Sequence, residues 1–353
     1  IVYPIGNSKK KKLKNQVLAD SQKGKKLYSF DDRHDKTIPA QFWFQESHEG
    51  LILFVVFYTL ACRWSQCLGC NLPSKMSSHH VDFKSIMAQV DYIFDNAEIE
   101  SKKDSIRKVI VSNNGSVLDK TTFSSTALMY LLDKLNMNLP NISALSIETR
   151  AGYVDTEELA IFDRALKEGT TPTELELSIG FEAFDSHIRN IFFRKGLTLE
   201  TFEDFVKKIA PFDYRLKCYF MLKPVPGITD EQAVEDIHRA IDYLSNIQQQ
   251  YNISINMHLN PTFAARGTAL ESEFKKSNYS PPRLVDVASA TRAARDKNIS
   301  VFIGLSDEDL AVEDGSFVRA GEEEMIERLE QFNRSGDFDI LDSLCNGKQG
   351  ANL

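Results

Sequence analysis

LILFVVFYTLACRWSQCLGC, residues 51–70, joins a run of strand-forming residues directly to three cysteines. The run at 51–58 carries no charge, as expected of a strand that is buried on both faces. Cys62, Cys67 and Cys70 follow within nine positions. In parallel α/β folds the chemistry collects at the carboxyl ends of the strands. The stretch therefore predicts a functional loop at the end of a buried parallel strand.

Further segments resemble this strand, and amphipathic helical patterns separate them. They lie at 108–112, 144–148, 174–182, 216–222 and 253–260. We expect these runs, largely without polar alternation, to be buried on both faces. Six strand–helix units predict parallel strands joined by right-handed crossovers. Six units are too few for a closed eightfold barrel, so the pattern fits either an open partial barrel or a doubly wound sheet.

Charge and composition exclude some classes of protein. The 353 residues carry a net charge of −8, which argues against a globally basic nucleic-acid binder. No stretch approaches the roughly 20 apolar residues of a membrane span, and no apolar region follows the lysines as in a signal peptide. The odd number of cysteines, five, suits a reducing compartment. We expect a cytoplasmic protein without a membrane partner.

The segment 9–26 is rich in lysine, beginning with KKKKLK at 9–14. We expect a disordered, solvated arm there. The alternative is an arm that contacts RNA phosphates.

The three clustered cysteines allow several kinds of site. A structural zinc ion would need a fourth ligand, for which His79 or His80 is available. A redox pair at Cys67 and Cys70 would leave Cys62 unexplained. The spacing C-x4-C-x2-C also occurs in plant-type ferredoxins, but the next cysteine here is as far away as residue 218. A 4Fe–4S cluster on three thiolates, with one iron open to an outside ligand, is the fourth interpretation.

A three-cysteine loop after the first strand of such a chain resembles the radical S-adenosylmethionine (SAM) superfamily, over about residues 50–275. The loop is one residue longer than the superfamily's usual C-x3-C-x2-C, and it is similar to the branch of the Elongator catalytic subunit and the archaeosine-forming tRNA enzymes. The resemblance implies an α/β fold, a partial (β/α)6 TIM-type barrel. It also implies a 4Fe–4S cluster on Cys62, Cys67 and Cys70, with SAM as the second cofactor. The chain departs from the family at Gly69, where an aromatic residue is common.

Further segments are similar to SAM-contacting segments of that branch. The resemblance gives no catalytic residue, and it implies cofactor contacts from Asn113, Asn114, Gly115, Ser116, Glu148, Ser178, Glu182, Arg194 and Lys195. Read without the resemblance, 113–116 is a tight turn, Glu148 is an ion-pair partner of Arg150, and Arg194 and Lys195 are a surface basic pair. At later strand ends, Lys223, His258 and Asn260 are expected to face SAM or substrate.

We divide the chain into a lysine-rich arm (1–45), a radical SAM core (46–278) and a C-terminal extension that packs on the barrel (279–353). The extension contains a predicted helix at 285–295 and a seventh strand-like run at 299–305.

The implied function is that of a radical SAM enzyme, which cleaves SAM and abstracts hydrogen from a substrate, with a tRNA base as the first expectation. A small-molecule or peptide substrate is one alternative, and a non-catalytic zinc module that binds RNA or protein is the other. Implied partners are a flavodoxin- or ferredoxin-type electron donor and either tRNA or a tRNA-modifying subunit.

Overall fold

The computed structural model describes residues 6–346, so the predictions for 1–5 and 347–353 lie outside the described residues. The strands are β1 (Gln41–Ser47), β2 (Gly50–Val56), β3 (Ile106–Ser112), β4 (Ala144–Thr149), β5 (Glu174–Glu182), β6 (Arg215–Leu222), β7 (Ile255–Pro261) and β8 (Ser300–Ile303). The helices are α1 (Asn7–Lys23), α2 (Phe83–Phe94), α3 (Ala97–Lys102), α4 (Ser125–Asn138), α5 (Thr156–Leu166), α6 (Leu199–Ile209), α7 (Asp230–Tyr251), α8 (Ala269–Lys275), α9 (Leu284–Arg292), α10 (Glu323–Ser335) and α11 (Phe338–Asn346). Within this part of the chain no helix is long and apolar enough to cross a membrane.

The eight strands stand in the sheet in the order in which they occur in the chain. β1 pairs antiparallel with β2, and the pairs β2–β3, β3–β4, β4–β5, β6–β7 and β7–β8 are parallel. A doubly wound sheet reverses its strand order at a switch point, whereas a barrel winds in chain order. The predicted class, an α/β partial barrel of TIM type, is therefore confirmed. The six predicted core strands and the run at 299–305 are all present, and β1 is an addition that the sequence pattern missed.

The chain divides into two compact units that interleave along the sequence. The first unit comprises residues up to Gln66, Leu72–Ile179 and Pro211–Arg215, and the second comprises Cys67–Asn71, Gly180–Ala210 and the chain from Leu216 onward. The predicted boundaries at 45 and 278 stay predictions. Each unit is described below by itself.

The lysine-rich segment is a helix, so the expectation of a disordered arm is wrong for the described residues. α1 runs from Asn7 to Lys23. Its side chains Leu13 and Val17 are buried in an apolar cluster of the first unit, together with Ile52, Phe54, Val56, Leu60, Ala61, Met76 and Ile110. These two apolar positions are four residues apart and therefore lie on one face of the helix. Their packing holds α1 on the unit, and the high lysine content of the segment gave no sign of it.

The parallel strands of the first unit have one apolar and one polar face. Hydrophobic side chains such as Val109, Leu145 and Leu177 alternate with a polar set made of Lys108, Ser112, Ser146, Glu148, Glu176 and Ser178. These strands are largely buried on both faces, as predicted, although β4 and β5 alternate polar and apolar residues more regularly than expected. Residues in register on neighbouring parallel strands share a face, so the polar side chains can bond to one another. Ser146 Oγ lies 2.6 Å from Ser178 Oγ.

Lys108 lies near the amino-terminal end of this polar face, between two carboxylates. Its Nζ lies 2.7 Å from Glu176 Oε2 and 3.0 Å from Glu49 Oε2. Arg215 bonds to Glu49 and lies 3.4 Å from Glu176. Burial alone would raise the pKa of Glu49, but Lys108 and Arg215 hold that pKa below its ordinary value. Two cations and two carboxylates thus compensate each other inside the unit.

In the second unit, β6, β7 and β8 also carry polar and aromatic residues on one face. The His258 ring lies between Tyr219 and Phe302, with ring centroids 4.8 and 4.9 Å away. Asn256 donates from Nδ2 to Ser300 Oγ at 2.9 Å. The bond to Ser300 satisfies the buried amide nitrogen of Asn256.

Replacing Lys108 by Ala should destabilise the protein strongly, because it removes the cation nearest to the buried Glu176. Breaking a buried ion pair on one side costs about 3–5 kcal/mol. The matched control is Lys167→Ala, which removes an exposed lysine 2.7 Å from Asp163 and should cost less than about 1 kcal/mol. Urea unfolding followed by circular dichroism measures both, and equal losses would contradict the network's role.

Candidate functional site

The first half of the cysteine loop, residues 60–66, belongs to the first unit. Leu60 makes an isolated parallel bridge with Ser77. Cys62 follows and is partly exposed. Ser65 donates from its hydroxyl to the Cys62 carbonyl at 2.6 Å, which closes a local turn. The thiol of Cys62 is therefore carried on a short segment with a defined backbone.

The predicted SAM-contacting turn at 113–116 lies against Cys62. A Cβ built on Gly115 would be 3.1 Å from Cys62 Cα and 3.3 Å from Cys62 Cβ. Such contacts are tighter than side chains normally accept, so a glycine at 115 is what allows the turn to approach the cysteine. The structure thus brings together Cys62 and Gly115, two residues that the sequence analysis placed in one site.

The polar contacts of this turn join it to the end of β4. Ser112 donates its hydroxyl to Glu148, and the Ser112 hydroxyl also accepts from Asn114 N at 3.1 Å. Ser116 Oγ lies 2.8 Å from Thr149 Oγ1. Asn114 has a positive φ of 54°, a conformation that asparagine tolerates better than most residues. Glu148 is partly buried beside the turn.

Asn113 is the buried member of the turn. It is 1% exposed, and its amide nitrogen donates to Ser116 O at 3.3 Å and to Thr122 Oγ1 at 3.2 Å. Its Oδ1 has no hydrogen-bond partner among residues 6–346 and would lie 3.5 Å from a Cβ on Gly115. A buried acceptor of this kind carries a desolvation cost that a bound donor would remove.

Arg63 and Trp64 fix the same part of the loop, and the sequence analysis missed both. Arg63 donates from Nε to Asp119 Oδ2 at 2.5 Å and from Nη2 to Tyr153 Oη at 3.0 Å. Burial alone would lower the pKa of Arg63, but its bond to Asp119 raises that pKa overall. The Arg150 guanidinium lies 4.8 Å from the Trp64 ring centre, a cation–π contact. No spacing rule predicts these partners, because they are 56 to 90 residues apart in the chain.

The second half of the loop, residues 67–71, belongs to the second unit. Cys70 N donates to Cys67 O at 3.3 Å, and Leu68 N donates to Phe193 O at 2.8 Å. Asn71, 2% exposed, donates to two backbone carbonyls, those of Arg266 and Leu310. Both cysteines are partly exposed and are held by backbone contacts on either side.

Gly69 stands where the family often has an aromatic residue. A Cβ built there would already be 3.3 Å from Leu270 Cδ2. A larger side chain at this position would therefore press on Leu270.

Glu182 and Lys195, both predicted cofactor contacts, form an ion pair in the second unit. Lys195 Nζ lies 2.6 Å from Glu182 Oε1, and both side chains are only 13% exposed. The pair lies directly over Gly180, where a Cβ would be 2.2 Å from Lys195 Nζ. Glu182 has a positive φ of 76° and Arg194 one of 64°. Backbone strain in non-glycine residues concentrates at functional sites.

Arg189 and Asp236 hold the segment that carries this ion pair, and neither was predicted. Arg189 is fully buried and donates to the carbonyls of Ala183, Phe184 and Leu197, each within 2.8 Å. Asp236 accepts from two backbone N–H groups at the start of the segment, those of Phe184 and Asp185. Burial raises the pKa of Asp236 and lowers that of Arg189. A buried arginine that binds carbonyls from both ends of a loop makes that loop rigid.

Other predicted residues have structural contacts of their own. Ser178 is fully buried and bonds to Ser146. Lys223 pairs with Asp230 at 2.7 Å and donates to Ser280 at 3.3 Å. Asn260 Oδ1 would lie 2.2 Å from a Cβ on Gly304. Their roles toward a cofactor or substrate stay predictions.

The histidines considered as a fourth zinc ligand make other contacts. The His79 ring lies 2.8 Å from Lys14 Nζ and 3.2 Å from Ser78 Oγ. His80 Nδ1 lies 3.3 Å from the carbonyl of Thr121, and burial lowers the pKa of His80. His79 therefore contacts α1, and His80 contacts the segment before α4.

The donor set of the loop suits an iron–sulfur cluster by its chemistry. All five cysteines lie within the described residues, and none is in a disulfide. Thiolates are the ligands of 4Fe–4S clusters. In the described part of the chain, however, no group of three or more His, Cys, Asp or Glu side chains is arranged to hold a metal ion.

Compared with models of known protein families, the chain matches none. It is 24% identical to an uncharacterized protein of Methanocaldococcus jannaschii over 95% of this chain and 93% of that protein. It is 28% identical over 246 residues to the archaeosine synthase subunit beta of Methanosarcina acetivorans, which covers 69% of this chain and 66% of that subunit. Among solved structures it is similar to Elp3 of the archaeon Methanocaldococcus infernus, with a TM-score of 0.47 and 16% identity, over 70% of this chain and 58% of that one.

These comparisons bear on the resemblance that the sequence motifs indicated. The resemblance to archaeosine-forming tRNA enzymes is confirmed. Two relatives are named archaeosine synthase subunit beta, and this chain spans about two thirds of the one from Methanosarcina acetivorans.

Replacing Gly115 by Ala should destabilise the first unit, because the new methyl group would press on the backbone of Cys62. Overpacking of this kind costs about 1–3 kcal/mol. Gly152→Ala is the matched control, since a Cβ there would meet nothing within 4 Å. Thermal and urea unfolding of both variants provide the measurement. A Gly115→Ala variant as stable as the control would refute the close approach.

Proposed function

We propose that this chain is a radical SAM enzyme that holds a 4Fe–4S cluster on Cys62, Cys67 and Cys70. The observation that carries the proposal is the set of three thiols in nine positions directly after the first parallel strand, in a chain similar to archaeosine synthase subunit beta. Three thiolates would bind three irons and leave the fourth open to SAM. Cys62 lies in one unit and the other two in the second, so the proposal rests on loop spacing and donor chemistry. Assembly of a cluster would gather the three thiolates, because ligand order and metal binding are coupled.

Cys62, Cys67 and Cys70 would hold the cluster, which when bound and reduced would supply the electron for reductive cleavage of SAM and so allow hydrogen abstraction from the substrate. The chain's own residues would orient SAM for this step. In the first unit, Glu148 and the turn 113–116 offer acceptors and backbone groups beside Cys62, suited to the SAM ammonium. In the second unit, Glu182 can accept from ribose hydroxyls, while Lys195 can pair with the SAM carboxylate.

For the substrate we propose a tRNA base. The support is the similarity to archaeosine synthase subunit beta, and the word subunit in that name suggests a partner chain. We further propose a flavodoxin- or ferredoxin-type electron donor. The alternatives are a small-molecule or peptide substrate and a non-catalytic zinc-binding module. The assays of cluster binding and SAM cleavage distinguish them from the proposal.

Cluster binding is tested by replacing Cys67 with Ala. After anaerobic reconstitution, the unaltered chain should be brown with about four irons and should release 5′-deoxyadenosine from SAM with dithionite. Cys67→Ala should lose the release completely. Cys345→Ala, which removes another partly exposed thiol, should keep it. A colourless protein with one zinc would refute the proposal, and so would release by Cys67→Ala equal to that of the unaltered chain.

The same assay tests the substrate class. Bulk tRNA added to the reconstituted chain should stimulate 5′-deoxyadenosine release, because a bound substrate commits SAM to cleavage. Stimulation by peptides or small-molecule extracts, and not by tRNA, would favour the alternative substrate class.

The contribution of the Glu182–Lys195 pair to SAM binding is tested by Gly180→Ala. The new methyl group would displace Lys195 and Glu182, since both side-chain ends lie within 2.3 Å of its position. A hydrogen bond to a charged group is worth about 1.5–3 kcal/mol, so the Kd for SAM should rise about tenfold or more. Gly152→Ala again serves as control. Titration calorimetry that gives the same Kd for both variants would contradict the assignment.

A further inference from the structure

We infer that α1 is a docking surface for the phosphate backbone of RNA, placed so that bound RNA lies beside the cysteine loop. The inference deepens the proposed function, on whose tRNA substrate it rests. It concerns the first unit alone.

The charge of α1 and its continuation is opposite to that of the whole chain. Residues 7–26 contain eight lysines and one aspartate, in a chain with a net charge of −8. Lys9, Lys11 and Lys12 are exposed on the helix. Within residues 6–346 no carboxylate forms an ion pair with any of these three. A row of lysines on one helix provides the electrostatic contacts that phosphate backbones need.

The carboxylates nearest to the helix are already bonded within the protein. Lys23 Nζ lies 3.0 Å from Asp20. Asp32 accepts from Ser78, and hydrogen bonds from Ser78 and His79 keep the pKa of Asp32 low despite its burial. The negative charges of Asp20 and Asp32 are therefore already balanced by neighbouring groups. They reduce the positive potential of the exposed lysines only in part.

The packing of α1 favours RNA over a membrane as the partner. An amphipathic helix enters a bilayer interface with its apolar face. Here Leu13 is 5% exposed and Val17 is fully buried, both in the apolar cluster with the β2 and β3 side chains. The apolar face is thus occupied by the protein itself, and only the lysine face is left for a partner.

The carboxyl-terminal end of α1 contacts the cysteine loop. Gln66 Nε2 donates to Asp20 Oδ1 at 3.4 Å. A Cβ built on Gly24 would lie 2.7 Å from the Ser65 carbonyl oxygen and 3.2 Å from Gln66 Cα, so the two backbones are in direct contact. A polyanion that follows the lysines of α1 is therefore directed to the segment that begins at Cys62.

The test is the triple variant Lys9→Gln, Lys11→Gln, Lys12→Gln in the full chain, with fluorescein-labelled bulk tRNA as the probe. Each lost phosphate contact lowers the slope of log Kd against log salt by about 0.7–0.9. We expect the slope to fall by about 2–3 and the affinity at low salt to fall about 10- to 100-fold. Arginine at the same three positions should restore both.

The control is Lys102→Gln, Lys103→Gln, Lys167→Gln, which removes the same charge from lysines that each lie within ion-pair distance of a carboxylate. It should bind tRNA within about twofold of the unaltered chain, since those lysines are already compensated. An unchanged salt slope in the α1 variant would overturn the inference. Equal losses in both triple variants would do so too, as would tighter binding to vesicles of phosphatidylcholine and phosphatidylserine than to tRNA.

The two proposals fail in different ways. Release of 5′-deoxyadenosine without RNA needs no lysine of α1, so the triple variant should retain the basal release. A chain that binds tRNA through α1 but never cleaves SAM would refute the enzyme and leave the RNA surface standing. If the chain cleaves SAM but the salt dependence of tRNA binding is the same in the α1 variant, only the RNA-binding surface is refuted.

Discussion

The buried polar face of the strands in the first unit is the constraint on which the site depends. A polar side chain inside a sheet must find a partner, or its desolvation cost counts against the fold. At the amino-terminal end Lys108 is compensated by Glu176 and Glu49. At the carboxyl-terminal end Glu148 accepts from Ser112, and it is less deeply buried than Lys108 and Glu176. The two ends of one face thus differ in burial and in the kind of pairing: ion pairs hold the amino-terminal end, and the hydroxyl of Ser112 bonds to the carboxylate at the other.

Rigid support is a second property of the site. Cys62 is carried on a segment that Arg63 and Trp64 fix through contacts with remote parts of the same unit, and that Ser65 fixes through a local bond to the Cys62 carbonyl. In the second unit Arg189 fixes the segment that carries Lys195. Such residues touch no ligand themselves, but they hold the groups that would. Precise placement of reacting groups depends on supporting residues of this kind.

A local sequence pattern predicts secondary structure better than it predicts contacts between distant residues. The core strands were predictable because apolar runs of this length are too short for helices and are separated by amphipathic helical patterns. β1, QFWFQES at 41–47, was missed because it has neither a long apolar run nor a regular alternation, and its pairing with β2 is a tertiary property. α1 was predicted wrongly because the high lysine content outweighed the two apolar side chains that pack the helix on the unit. Arg63 and Arg189 were missed because their partners are separated from them in sequence or are backbone carbonyls, which leave no pattern.

The attachment of α1 by two apolar side chains has a consequence for handling the protein. A helix with so small an anchored area is among the first segments to open when the rest stays folded. Trypsin cleaves after lysine, so nicking of the native chain would begin in the run at 9–14 and would shorten the chain without unfolding it. The rate of that nicking then reports how firmly the helix is docked, before any cofactor has been loaded.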